Sequence, residues 1–306
     1  MTKILAKINA TFIVYFNVSM IIDGKAIADT ILQNLTDSVS KLKSDGITPT
    51  LAVILVGDDP GSLSYIKQKQ KAAERIGASL IFEHLPKKTS KETLSSAIAH
   101  YNNDPAIHGL IVQRPVPIAN IDDTINSVSP AKDIDGFVPH SPFEVPVARA
   151  VMTILADVHK QLSTAGLVKK TFTEWLATQS IAVIGRGETA GKPITDTLLA
   201  RGCAVSVVHS QTPDPGSVLK NATVIISCVG LPEILTKQMI TPGVILISVG
   251  LYRDKEGKLH GDYESEEIQT IASFYTPTPG GVGPVNVACL MQNLVDACIM
   301  NVDNKL

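Results

Sequence analysis

Residues 181–193 read I-A-V-I-G-R-G-E-T-A-G-K-P: an apolar strand, a glycine-rich turn, and a helix with Pro193 near its first turn. Proline is tolerated there because the first N–H groups of a helix have no intrahelical acceptor. Two kinds of phosphate loop share this general look. A nucleoside-triphosphate loop needs four residues between its first glycine and Gly-Lys, followed by Ser or Thr to hold magnesium. Here five residues separate Gly185 from Gly191, three separate Gly187 from it, and Pro193 follows Lys192, so that reading fails. A Rossmann-type turn fits better. Gly185, Gly187 and Gly191 leave space for backbone N–H groups to approach a pyrophosphate, and the helix N-terminus favours the anion. The same glycines could also serve a tight strand-to-helix turn with no ligand.

The next strand ends V-V-H-S, about twenty residues on, where an NAD site carries an acidic residue for the ribose 2′-hydroxyl. His209 and Ser210 stand there instead, with Arg186 in the first loop. Donors without a carboxylate suit a 2′-phosphate, so the sequence predicts NADP. The cofactor-binding candidates are Gly185, Arg186, Gly187, Gly191, His209 and Ser210.

Outward from this turn, apolar runs alternate with helical patterns, the mark of an α/β architecture with parallel strands. Leu51–Val56 (LAVILV) is a continuous apolar run, as in a strand covered on both faces. A helical pattern over Ser62–Arg75 follows, then a strand at Ser79–Leu85 and a helix opened by Thr89 with Glu92 as a capping box. Gly109–Gln113 is the next strand, cut off by Pro115 and Pro117. Residues 130–146 are rich in Pro, Asp and Gly and mark a domain crossing. A long helix carries Val147, Val151, Leu155, Val158 and Leu162, after which strands recur at 181–184, 205–208, 223–228 and 244–249. The expectation is a two-domain α/β protein: an arm over 1–19, a first domain over 20–146 with 285–306, and a Rossmann-type domain over 147–284.

Composition excludes several classes. The chain has 306 residues, 44% hydrophobic and 18% charged, which describes ordinary globular material. A net charge of −2 gives no footprint for nucleic acid. Cys203, Cys228, Cys289 and Cys298 lie far apart with no C-x-x-C pair, which predicts reduced thiols in the cytoplasm and no structural zinc. The seven histidines are scattered without H-E-x-x-H spacing, so no metal site is expected. Residues 1–19 place Lys3 and Lys7 before an apolar run too short to span a bilayer, and are expected to be a poorly structured arm rather than a targeting segment. No membrane partner is expected.

In the first half, V-G-D-D-P-G-S-L-S-Y-I-K-Q-K puts Tyr65 and Lys69 four residues apart, on one face of a helix. Such a pair can divide a proton transfer, with the Lys pKa lowered in an apolar site. Lys67, Lys69 and Lys71 could equally form a solvated face. Short-chain dehydrogenases also use Y-x-x-x-K, but after the cofactor loop; the reversed order here excludes them. Gln113 stands at the carboxyl end of a buried strand, where open α/β sheets place ligands. K-D-I-D-G (132–136) offers two carboxylates able to read an amino-oxo heterocycle edge, or to form turns.

Six motifs in order, V-G-D-D-P-x-S-x-x-Y-x-x-x-K, G-L-I-V-Q-R-P-V-P, K-D-I-D-G-F, G-R-G-x-x-x-G-K-P, H-S-x-T and T-P-x-P-G-G-V-G-P, resemble the bifunctional methylenetetrahydrofolate dehydrogenase/methenyltetrahydrofolate cyclohydrolase family. The similarity runs over 22–137 and 181–297. It implies a folate-binding catalytic domain, a Rossmann-type NADP domain, a substrate cleft between them, and a final helix near 285–300 that returns to the first domain. It implies oxidation of 5,10-methylene-tetrahydrofolate by NADP and hydrolysis of the methenyl product to 10-formyl-tetrahydrofolate, in a homodimer. Lys69 is then the acid/base, Tyr65 positions the folate, Gln113 holds Lys69, Asp135 reads the pterin edge, and Gly280 and Gly281 line the cleft. A single-activity enzyme of the same fold and a non-catalytic dinucleotide sensor are the alternatives, and intact Tyr65, Lys69 and Gln113 speak against the sensor.

The chain departs from the family in four places. After Phe137 it reads V-P-H-S-P-F-E-V-P and lacks the N-x-G-x-L segment and P-x-T-P turn, while extra length occurs at 164–180. Gly187 replaces a serine, Ser248 an aspartate, and Val285-Asn286 a Met-Thr pair. These changes bear on cofactor preference and on the balance of the two activities rather than on substrate class.

Overall fold

The computed structural model describes residues 19–303, so the arm expected over 1–19 lies, but for Ser19, outside the described residues. The chain forms two compact units, one of residues 28–149 with 286–303 and one of residues 19–27 with 150–285.

The first unit is built on a three-stranded parallel sheet of β2 (Thr50–Val56), β3 (Ser79–Leu85) and β4 (Gly109–Val112), in the order β3-β2-β4. The central strand explains the continuous apolar run. Leu51, Val53 and Leu55 face one core; Ala52, Ile54 and Val56 face the other. Period-two alternation sends successive side chains to opposite faces, and here both faces are covered. On one face lie α1 (Gly24–Ser44, which enters this unit at Ala28) through Leu32, Leu35 and Val39, α2 (Pro60–Ile76), and the final helix α10 (Val282–Asp303) through Leu290, Met291 and Leu294. On the other lies α3 (Lys91–Asn103) through Leu94 and Ile98. Each such buried aliphatic side chain contributes about 1.5–3 kcal/mol over its exposed state. The final helix is apolar and long enough to cross a membrane by length and composition, yet it is mostly buried, and its apolar residues from 287 to 297 lie in this core.

The second unit holds a six-stranded, all-parallel sheet in the order β1 (Met20–Ile21), β11 (Phe274–Tyr275), β8 (Ile245–Ser248), β7 (Val224–Ser227), β5 (Ser180–Ile184), β6 (Ala204–Val208). The strands expected near 181, 205, 223 and 244 are β5 (Ser180–Ile184), β6 (Ala204–Val208), β7 (Val224–Ser227) and β8 (Ile245–Ser248). Two short strands complete the sheet: β11 beside β8, and β1 at the edge beyond it. Residues 20–27 pack with this unit. Met20 N–H donates to Ser273 O (2.9 Å) and Ile22 N–H to Tyr275 O (2.8 Å), and the Ile22 side chain is buried. Two residues are too few to display any periodicity. The chain crosses between units at 149–150 and 285–286.

Local signals shifted in places. The cap of α3 is Ser90, whose hydroxyl accepts from Thr93 N–H, whereas Thr89 bonds back to Pro86 O. The long helix is α5 (Pro146–Thr164), with Pro146 at its start. The extra length at 164–180 forms α6 (Phe172–Leu176), opened by a capping box of Thr171 and Glu174. Phe172 and Trp175 pack on His159 of α5, with ring centroids 5.7 and 5.4 Å from it.

Candidate active site

Helix α2 begins at Pro60 because the Asp59 carboxylate caps it, accepting from Ser62 N–H at 2.7 Å. This start sets which side chains of the helix face inward. Lys67 and Lys71 are exposed, while Lys69 is 8% exposed. The solvated-face alternative therefore holds for its neighbours and fails for Lys69. Its ammonium donates to Gln113 Oε1 at 2.9 Å. Burial lowers the Lys69 pKa below the usual ammonium range, and the nearby Asp135 carboxylate partly opposes that. Tyr65 lies one turn earlier on the same helix and is half-buried.

Gln113 follows the end of β4, where its N–H still bonds Ile54 O (2.8 Å) as the ladder ends. Its Nε2 donates to Arg114 O (3.0 Å), which turns Oε1 toward Lys69. In K-D-I-D-G the two acids divide the work. Asp133 is buried and is the turn former: its carboxylate accepts from Val138 N–H (2.8 Å) and its carbonyl accepts from Gly136 N–H and Ser141 Oγ. Burial pushes its pKa up to about 6. Asp135 is half-buried, and its charge reaches Lys69.

What secures this loop leaves no local signal in the sequence. Asn293 of α10, 1% exposed, donates from Nδ2 to Ile134 O and Glu144 O, both at 2.9 Å, while Arg149 donates to its Oδ1 at 2.8 Å. Ile134 precedes Asp135 directly, so the final helix positions the acid. The shortened segment after Phe137 belongs to the same arrangement. It wraps Asp133 and sends Phe143 into the core.

In the second unit, β5 delivers the glycine turn to helix α7 (Gly191–Ala200). A Cβ on Gly191 would stand 2.2 Å from Gly185 O, and Gly185 has φ +97°, so both positions require glycine. Gly187 differs: nothing lies within 4 Å of a Cβ there, so the serine that the family resemblance implies at this place would fit. Arg186 and His209 line an open pocket of about 390 Å³ with Lys192, Thr195, Asp196 and Val207. Lys192 pairs with Asp196, one helical turn on. Ser210 is exposed and outside this lining. Lys192 belongs to the same glycine-turn motif, and no pattern around it in the sequence marks it as a pocket residue. A glycine cradle beside Arg186, Lys192 and His209 fits a phosphate-bearing dinucleotide. Gly280 and Gly281 sit in the loop between β11 and α10, where a Cβ on Gly24 would meet Gly281 O at 1.8 Å.

The site residues thus fall into two groups. Lys69, Gln113 and Asp135 converge with Tyr65 alongside in one unit; Gly185, Arg186, Gly187, Gly191 and His209 surround the turn after β5 in the other, with Gly280 and Gly281 elsewhere in that unit.

Comparison with known proteins agrees with this division. Residues 22–135 match the tetrahydrofolate dehydrogenase/cyclohydrolase catalytic domain, and residues 150–302 match the NAD(P)-binding domain of the same family. The chain is 37% identical over 281 residues to the bifunctional protein FolD of Geobacillus thermodenitrificans, covering 91% of this chain and 97% of that one. It is 38% identical over 282 residues to FolD of Nautilia profundicola, covering 90% and 96%. Among solved structures, the Campylobacter jejuni FolD dehydrogenase/cyclohydrolase superposes with a TM-score of 0.81 at 33% identity, over 94% of this chain and all of that one. The Trypanosoma brucei enzyme, solved with NADP and an inhibitor, gives 0.83 at 29%, over 94% and 99%. The chain belongs to the tetrahydrofolate dehydrogenase/cyclohydrolase family.

Proposed function

We propose that this protein oxidises 5,10-methylene-tetrahydrofolate with NADP and hydrolyses the methenyl product to 10-formyl-tetrahydrofolate. The observation that carries the reading is a buried lysine with a lowered pKa, held by Gln113 and faced by Asp135. NADP, when bound, would supply the acceptor for the hydride of the methylene carbon. Hydride transfer needs orientation rather than a side-chain nucleophile. Arg186, His209 and Lys192 would hold the 2′-phosphate, with Gly185 and Gly191 admitting the pyrophosphate. Ser210 would be at most a peripheral donor.

Hydrolysis falls to Lys69. As the neutral amine it takes a proton from water while the water oxygen bonds the methenyl carbon. As the ammonium it returns that proton to the folate nitrogen whose bond to the carbon breaks, while the hydroxyl proton of the adduct is released to solvent as the formyl carbonyl forms. A lysine titrating nearer neutrality can serve both directions. Tyr65 would pack on the folate, and Asp135 would bond the pterin edge.

The test supplies 5,10-methylene-tetrahydrofolate and NADP and follows NADPH and the methenyl species separately. Both activities are expected. No NADPH with either nicotinamide cofactor would remove the dehydrogenase, and persistent methenyl product would remove the cyclohydrolase.

A homodimer is supported by β3, an edge strand of its sheet with Ile81 and Phe82 exposed, since such edges pair with other chains. Sedimentation as a monomer at micromolar concentration would dismiss it. A cytoplasmic location is supported by the scattered spacing of Cys203, Cys228, Cys289 and Cys298, which offers no C-x-x-C pair.

A further inference from the structure

Strand order in the second unit reverses at β5: β6 lies on one side and β7 on the other. Open parallel sheets bind ligands in the crevice at such a switch point, beyond the carboxyl ends of the strands. Two loops therefore wall the crevice, the glycine turn after β5 and residues 228–231 after β7. They touch, because a Cβ on Gly185 would meet Cys228 O at 3.1 Å and Val229 Cγ2 at 3.4 Å. The second loop presents apolar side chains to solvent, with Val229 36% and Leu231 54% exposed.

What holds this loop is a carboxylate. Asp262, with no exposed surface, accepts from three successive backbone N–H groups: Val229 at 3.1 Å, Gly230 at 2.6 Å and Leu231 at 3.2 Å. Its own N–H donates to Ser248 Oγ at 3.0 Å, at the end of β8. The neighbouring backbone is cut to fit. A Cβ on Gly250 would lie 2.3 Å from Asp262 Oδ2, and one on Gly230 would lie 2.8 Å from Leu251 O. A buried carboxylate is costly unless its oxygens are satisfied, and bonds to ionised acceptors are the strong ones. Three converging N–H groups on one loop fix that loop more firmly than chain packing alone.

We propose that Asp262 is a positioning residue for the dehydrogenase, fixing residues 229–231 so that the apolar wall of Val229 and Leu231 lies against bound NADP. This rests on the NADP reading above. It also gives Ser248 a role, since a hydroxyl there orients the Asp262 backbone.

The test measures oxidation and hydrolysis on the same preparations of the wild type, Asp262→Asn and Asp262→Ala. Asn keeps an acceptor oxygen but brings an NH₂ toward the loop N–H groups, so the effect should order as Asp, Asn, Ala. The KM for NADP should rise at least about tenfold in the alanine variant, the factor given by about 1.4 kcal/mol. The ratio of oxidation to hydrolysis should fall with it. A merely structural role would lower both activities together and leave the ratio unchanged, which would overturn the proposal. If the alanine variant does not fold, Leu231→Ser at an exposed position reports on the same loop: a raised KM for NADP supports the proposal, and an unchanged one overturns it. A wild type unable to reduce NADP would remove the functional reading and this proposal with it. A competent wild type with unaffected variants would remove this proposal alone.

Discussion

Replacing Gln113 by leucine should move the pH dependence of hydrolysis without abolishing folding. The side chain is nearly isosteric but offers no acceptor to Lys69, whose Nζ stands 2.9 Å from Gln113 Oε1. Both the amine and the ammonium can donate that bond, but not equally. A hydrogen bond from a charged donor is worth about 1.5–3 kcal/mol and a neutral one about 0.5–1.5, so the bond favours the ammonium by roughly 1–1.5 kcal/mol. One pKa unit corresponds to about 1.4 kcal/mol, so losing the bond should lower the Lys69 titration by about one pH unit. Burial already lowers that pKa, and leucine adds no charge to oppose it. The assay follows loss of methenyl-tetrahydrofolate across pH, corrected for the spontaneous reaction. Lys69→Met identifies the limb that belongs to the lysine by removing it. The limb should move down in Gln113→Leu and up in Gln113→Glu, where a carboxylate faces the ammonium. A limb that stays put in both variants, or rises in the leucine variant, would refute the account of Lys69 as a titrating group held by Gln113.

Arg186→Ala should raise the KM for NADP by about 10–100-fold while leaving that for NAD within about twofold, since one charge-assisted bond to the 2′-phosphate is worth about 1.5–3 kcal/mol. An equal rise with both cofactors would place Arg186 elsewhere on the dinucleotide. Asp133 makes stability pH-dependent. Its carboxyl titrates near 6 in the folded chain against 3.8 ordinarily, so its contribution is fully present below about 3.8 and is lost as pH rises through about 6. The loss is on the order of 2–3 kcal/mol. Asp133→Asn, which keeps the acceptor for Val138, should lack that slope. Melting curves at pH 4.5 and 7.5 that shift in parallel for variant and wild type would contradict it.

Much of the site was legible because local chemistry wrote it into short spacings. The α/β alternation, the parallel strands and the glycine turn follow from periodicities of a few residues, which a linear reading captures. So does the i, i+4 relation of Tyr65 and Lys69. Spacing could not tell Lys69 from Lys67 and Lys71, since burial depends on how α2 lies on β2 and β4. Nor could it divide Asp133 from Asp135, because that division depends on Val138 and Ser141 folding back onto the first acid. Strands β1 and β11 are two residues each and exist only because a neighbouring strand offers its open edge. Asn293 and Asp262 left no local trace at all. The first reaches back 159 residues to Ile134 and the second 32 to Gly230, and their meaning lies in backbone groups that any sequence would supply. By itself, the sequence determined the class of fold, the family and the residue types of the chemistry. Which lysine loses its water, and which buried polar side chains hold the loops in register, was decided by tertiary packing, because desolvation and long-range hydrogen bonds exist only once distant segments meet.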